Sequence, residues 1–276
     1  MTRNQALKFD EIGYWTEIKL DIIRDYAAAY SKILNGRFHH VYIDAFSGAG
    51  KHIKKNTNEW VLGIPLNALL IKPPFKEFHF IDLDSAKADH LKKLIGERPD
   101  VKAHQGDCNR ILLEKVFPLV QYKDYRRGLC LLDPYGLHLD WDVMAAAGKM
   151  KSIEIFLNFP VADMNRNVLW RNPDGVAPAD IQRMNGFWGD DSWRKIAYTK
   201  DSNLYGWEEK TDNESIAKGF RERLKKIGGF AYVPEPLPMR NNTGAIVYYL
   251  FFASPNATAN RIVTHIFTKY RNKGIR

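Results

Sequence analysis

Tyr42-Ile43-Asp44-Ala45-Phe46-Ser47-Gly48-Ala49-Gly50 is an apolar run that breaks at an acid and continues into two glycines separated by one residue. The residues from His40 to Phe46 read as a short β-strand, and Gly48 and Gly50 allow the backbone beyond it to turn tightly and approach a ligand closely. A glycine pair after a strand fits a plain turn equally well. The surrounding pattern decides between the two.

Upstream, Tyr14 to Asn35 reads as an N-terminal helix. Tyr14, Ile18, Ile22, Tyr26, Tyr30 and Ile33 fall mostly three or four residues apart, and Asn35-Gly36 supplies the stop. Downstream, short apolar runs alternate with helical patterns. Glu77 to Leu83 is a second strand followed by a helix from Ser85 to Gly96, Val101 to Gln105 a third strand, Gly128 to Asp133 a fourth and Ile153 to Phe159 a fifth. Such alternation predicts an α/β fold with a doubly wound, mostly parallel Rossmann-like sheet. Glu214 to Ile227 then reads as a helix ended by Gly228-Gly229, Ala245 to Ala253 as a strong strand and Ala257 to Lys269 as a closing amphipathic helix. A late strand pair suits an antiparallel edge. Between them, 161–212 interrupts the alternation and holds Trp170, Trp188, Trp193 and Trp207, four of the seven tryptophans. It reads as an inserted Trp-rich cap, either a satellite core or an aromatic stacking surface. The whole chain, 1–276, is expected to form one domain.

Lys and Arg number 41 against 32 Asp and Glu, a net charge of +9. Between Ile227 and Arg276, six basic residues (Arg240, Arg261, Lys269, Arg271, Lys273 and Arg276) face one acid, Glu235. This basic C-terminal region suits nucleic acid, or simply a solvated helix end. Cys108 and Cys130 have neither metal-ligand nor CxxC spacing, so no zinc ribbon or disulfide framework is expected. No apolar h-region or membrane-length apolar run occurs, which predicts a cytoplasmic protein without a membrane partner.

Ligands of open α/β sheets bind at the carboxyl ends of the strands, and four strand exits here carry acids. The first is the glycine loop, where Asp44, Phe46, Gly48 and Gly50 are candidate cofactor contacts. At the second, Asp82 can accept hydrogen bonds from both hydroxyls of a ribose, with Asp84 a candidate helix cap. The third, Gly106-Asp107-Cys108-Asn109, offers Asp107, beside Cys108, to an adenine amino group, as a turn acid would also look. Asp133-Pro134-Tyr135-Gly136 is the fourth. Glycine loop, ribose acid, adenine acid and acceptor loop follow at intervals of about 25 to 35 residues. A nicotinamide domain would want GxGxxG, whose third glycine is missing. S-adenosylmethionine (AdoMet) fits the series better.

Asp133-Pro134-Tyr135 resembles a shortened form of the Asp/Asn-Pro-Pro-aromatic loop of class I methyltransferases that modify exocyclic amines of nucleobases. In those enzymes the polar side chain and a prolyl carbonyl accept the amine hydrogens; here the second proline is missing. Asn158-Phe159-Pro160 is a second polar-aromatic-proline group, open to a pocket role or a strand-ending turn. The chain also resembles the three-Cys-motif partner (TcmP) family of bacterial methyltransferase-like proteins. The resemblance lies in Thr16-Glu17-Ile18-Lys19, the 42–50 stretch, Gly63-Ile64-Pro65-Leu66, Phe80-Ile81-Asp82, Gly106-Asp107 and Leu132-Asp133-Pro134-Tyr135-Gly136-Leu137. It implies a bacterial, cytoplasmic, methyltransferase-like protein with a partner that carries three cysteines. Three functions follow as expectations: an AdoMet-dependent methyltransferase acting on a nucleic-acid base amine through Asp133, Pro134 and Tyr135; a non-catalytic scaffold; or a metal-dependent nuclease.

Overall fold

A computed structural model describes residues 11–12, 14–54, 60–199 and 209–271. Trp207, Lys273 and Arg276 lie outside the described residues. The main sheet has seven strands: β1 His39–Asp44, β2 Glu77–Asp82, β3 Val101–Gln105, β4 Arg126–Leu132, β5 Ile153–Phe159, β6 Leu237–Arg240 and β7 Ile246–Ala253. Their spatial order is β6-β7-β5-β4-β1-β2-β3. All neighbours are parallel except where β7 runs antiparallel to both β5 and β6. This is the Rossmann-like methyltransferase sheet, with its order reversing at β1. The crevice that follows lies beyond the carboxyl ends of β1 and β4.

The strands divide their side chains by the period-two rule. Val41, Ile43, Cys130, Leu132, Ile155 and Leu157 enter one core. Tyr42, Leu129, Leu131 and Phe156, the alternate residues, enter the other. Helices α1 Tyr14–Leu34, α2 Ile64–Leu69 and α3 Ser85–Ile95 contribute to the second core together with the closing helix, α10 Ala257–Arg271. Asp25 of α1 ties these outer helices by accepting from Lys269 at 2.8 Å and Tyr270 at 3.0 Å. Helices α4 Cys108–Ile111 and α5 Trp141–Met150 cover the first face with α9 Asn213–Lys226.

The segment 161–212 contains α6 Val161–Asn167, α7 Pro178–Trp188 and α8 Trp193–Ala197. Its described residues do not build a satellite core. Met184, Phe187, Trp188 and Trp193 join the same buried cluster as Phe159 of β5 and Phe220 of α9. Phe187 and Trp188 lie 5.6 and 5.2 Å from the Phe220 ring. The aromatic stripe of α7 extends the main core instead of closing on itself, so Trp188 and Trp193 are no stacking surface, while Trp170 remains 41% exposed. Among the described residues, no helix is long and apolar enough to cross a membrane.

Candidate active site

The glycine loop is held from below by β2. Ser47 donates to the Ile81 carbonyl through its amide at 2.9 Å and its hydroxyl at 3.0 Å. Gly48 donates its N–H to Asp82 Oδ2 at 2.7 Å, and Asp84 donates its own to Asp82 Oδ1 at 2.9 Å. Gly48 and Gly50 have φ of +63° and +79°, a region that side chains with a Cβ rarely adopt. A Cβ at Gly50 would also sit 2.7 Å from Leu91, whereas one at Gly48 would meet nothing within 4 Å. Gly48 thus leaves its side of the loop open. Asp84 caps α3 through the amides of Ala86 and Lys87, the alternative its sequence position suggested.

Beside this loop a cavity of about 590 Å³ is lined by Phe46, Leu83, Asp107, Cys108 and Asn109, with Leu137 and His138 beyond the fourth strand exit. The roof comes from Ala179, Gln182, Arg183 and Gly186 of α7. Asp107 caps α4 by accepting the Asn109 N–H at 3.0 Å, yet stays exposed. Asp107 and Asp140 make the lip negative, and burial together with Asp107 raises the Asp140 carboxyl above its ordinary value. The cavity therefore joins an acidic lip to apolar walls, with Leu83 left 73% exposed as a platform for a flat ring. Cys108 is buried and its thiol is pushed up to about 12, chiefly by burial, so it offers packing and no thiolate.

Asp44, Asp82 and Asp133 converge electrostatically at the neighbouring strand ends. Asp133 is pinned on both oxygens. Lys19 of α1 reaches Oδ2 at 2.5 Å, and Asn158 of β5 donates to Oδ1 at 2.6 Å. The Lys19 side chain is only 7% exposed and lies 5.6 Å from the Tyr248 ring centroid. Pro134 is buried, whereas Tyr135 is 89% exposed. Gly136 passes close to α6, where an added Cβ would lie 2.9 Å from an Asp163 carboxylate oxygen. Asn158 therefore does face the Asp133 loop. Lys19 belongs to the Thr16-Glu17-Ile18-Lys19 stretch of the family resemblance, but its contact with Asp133 has no local signal, because α1 and β4 meet only in three dimensions.

Asp44 is the most deeply buried of these acids. Its Oδ1 accepts the Phe46 N–H at 3.2 Å, while its buried Oδ2 has no partner among the described residues. Burial pushes its carboxyl from 3.8 to about 7, against the Phe46 hydrogen bond; the Asp133 charge adds to the rise and Lys19 opposes it. Below 3.8 the acid is protonated in both folded and unfolded chains. Between there and about 7 only the folded chain holds the proton, so stability falls as pH rises through this window. The cost above it is up to about 4 kcal/mol. Asp44→Asn removes this term, and the melting temperature of the variant minus that of the wild type is expected to climb between pH 4 and pH 8. A difference independent of pH would contradict the assignment.

The sequence places candidate contacts in two groups. Phe46, Asp107 and Cys108 line the cavity directly, while Gly48 and Asp82 are tied to each other at its side. Asp44, a cofactor candidate in the sequence, packs beside Asp133 at the neighbouring strand ends, with Pro134 and Tyr135 following Asp133 along the chain. Among the described residues, no three His, Cys, Asp or Glu converge to hold a metal ion. His79 is buried between Glu77 and His104, at 3.0 Å from each, as a satisfied core residue would be.

No family model matches the chain, and no curated protein matches it. Solved structures do. A Legionella pneumophila protein of the family designated DUF519 aligns with a TM-score of 0.47 and 13% identity, over 92% of this chain and 93% of its own. The DszA carbon methyltransferase gives 0.44 and 13%, over 88% and 55%. The methyltransferase domain of bacterial CtHen1 gives 0.41 and 13%, over 87% and 99%. At such values the strand order of the sheet, and not the likeness, carries the fold assignment.

Proposed function

We propose that the chain is an AdoMet-dependent methyltransferase that acts on an exocyclic amine of a nucleic-acid base. The observation that supports it most is the roofed cavity at the reversal of strand order, with Asp82 and Asp107 on successive strand exits and an acceptor-type loop beside it. The residues fit the cofactor. Asp82 would hold the ribose hydroxyls and Asp107 the adenine amino group, Leu83 would face the ring, and the open side of Gly48 would admit the methionine portion. The buried Oδ2 of Asp44 at the start of this loop is left without a partner among the described residues. AdoMet supplies a methyl group already activated on sulfur.

What remains for the protein is positioning and the exclusion of water. Asp133, oriented by Asn158 and Lys19, would accept an amine hydrogen and aim the nitrogen lone pair. Exposed Tyr135 would stack on the base, which must leave a duplex to be reached. Arg240 and Arg271, two members of the basic C-terminal region, border a cavity with Trp15 and Ile18, close to Lys19 along α1. Arg240 ends β6, which runs parallel to β5, so both cations lie at the acceptor end of the sheet, where a phosphate backbone would pass. Lys269, in contrast, is paired with Asp25. The TcmP resemblance adds a three-cysteine protein as a proposed partner.

Asp133→Ala is expected to keep S-adenosylhomocysteine binding and to lower methyl transfer to nucleic acid about a hundredfold or more, read with isotopically labelled AdoMet. The pairing of Asp133 with Lys19 favours one second reading, a scaffold that binds cofactor without transferring it, because both carboxylate oxygens are already engaged. Absence of transfer from wild type to any nucleic-acid or protein pool would select that reading.

A further inference from the structure

A second cavity, of about 360 Å³, opens at the opposite end of the sheet between α1 and the first turns of α10. Glu154 lies at the start of β5, four residues and about 13 Å along the strand from Asn158. The cavity is therefore separate from the cofactor cleft. Ile33, Leu34, Phe38 and Ile262 give it apolar walls, and Tyr30 and Glu154 are polar groups of its lining beside Ser152, Asn256 and Thr258.

These polar groups are incompletely matched. Glu154 is buried and accepts from Tyr26 through Oε2 and from Ser254 through Oε1 at 3.1 Å, but no cation pairs with it among the described residues. Each of its oxygens keeps a lone pair. The Tyr30 hydroxyl is buried and has no hydrogen-bond partner among the described residues. Folded proteins rarely leave such a group unpaired, because the desolvation is not returned. Two cations also line the cavity. Arg127 is stacked 3.8 Å from the Tyr122 centroid and 4.5 Å from that of Phe38, and Lys151 follows α5. Carboxyl and phenol within aromatic and aliphatic walls, with cations beside them, describe a site for a flat ring with N–H donors and an anionic tail.

We propose that this cavity binds an amino-bearing nucleotide: the exocyclic amine donates to Glu154, the adjacent ring nitrogen accepts from the Tyr30 hydroxyl, and the phosphate faces Arg127 and Lys151. Cytidine 5′-monophosphate is the simplest probe, since its base carries the amine beside a ring nitrogen. Calorimetric titration into the full chain is expected to show saturable binding. Uridine 5′-monophosphate, with a carbonyl in place of the amine, should bind at least about tenfold more weakly. Tyr30→Phe should weaken the cytidine nucleotide about tenfold while leaving the melting temperature unchanged or higher, since it deletes an unpaired group. Ile262→Trp, which fills the cavity, should abolish binding. A cytidine tetranucleotide that binds no better than the mononucleotide marks a free nucleotide as the ligand, and one that binds at least tenfold better marks a strand end; both retain the site. Absence of binding by folded wild type, or binding untouched by both variants, overturns the proposal.

Discussion

An alanine at position 148 leaves the chain without a stable fold. Gly148 lies inside α5, and a Cβ there would stand 1.9 Å from the Gly228 carbonyl oxygen and 2.9 Å from its carbon. Both obstacles are backbone, at the point where α9 ends and the chain turns towards Phe230. No rotamer change relieves such an overlap; α5 must move from the sheet or the turn must unwind. Either opens the core that joins Ala147, Phe230 and Leu224. A loss above about 4 kcal/mol is expected, a large part of the stability of an ordinary domain. Gly175→Ala is the matched control, because its added Cβ would only touch Trp170 at 3.7 Å. Thermal melts by circular dichroism should show a native-like transition for Gly175→Ala and none for Gly148→Ala; a cooperative melt of the latter near wild type would refute the close approach.

Asp82→Ala is expected to remove the affinity for the proposed cofactor without removing the cavity. Asp82 fixes the glycine loop through the Gly48 N–H, and in the proposed function it would also accept the ribose hydroxyls. Charge-assisted hydrogen bonds of this kind are worth roughly 1.5–3 kcal/mol each, so loss of two weakens binding at least about a hundredfold. The thermal upshift caused by saturating S-adenosylhomocysteine in the wild type should vanish in the variant at the same ligand concentration. The lining residues Phe46, Asp107 and Cys108 are untouched by the change. An undiminished upshift would place the ligand away from the glycine loop.

Local sequence carried the sheet because each central strand is an apolar run bounded by turn residues. β2, β3 and β5 begin where the periodicity places them, whereas β4 begins at Arg126, two charged residues before its apolar stretch. β6 was legible only as an unnamed partner of the late strand: Leu237-Pro238-Met239-Arg240 is short, and its proline is tolerated at a sheet edge. Tertiary coincidences left no local mark. Lys19 reads as one polar position on an amphipathic helix until α1 places it against Asp133. Gly148 is a helix position that only the crossing of Gly228 makes intolerant of a side chain. Gln182 and Arg183 lie within the inserted segment and come to the cavity only because α7 folds back over the β3 exit. The tryptophans misled for the same reason, since a local cluster cannot be distinguished in sequence from an extension of the main core.

The direct test of the account is a calorimetric titration of S-adenosylhomocysteine into the wild-type chain, with NAD titrated in parallel as the other dinucleotide-fold ligand. Saturable, one-to-one binding of S-adenosylhomocysteine and no heat from NAD is the result the strand-exit acids and the open glycine loop predict. A folded protein that binds NAD, or that gives no heat with S-adenosylhomocysteine, would contradict it.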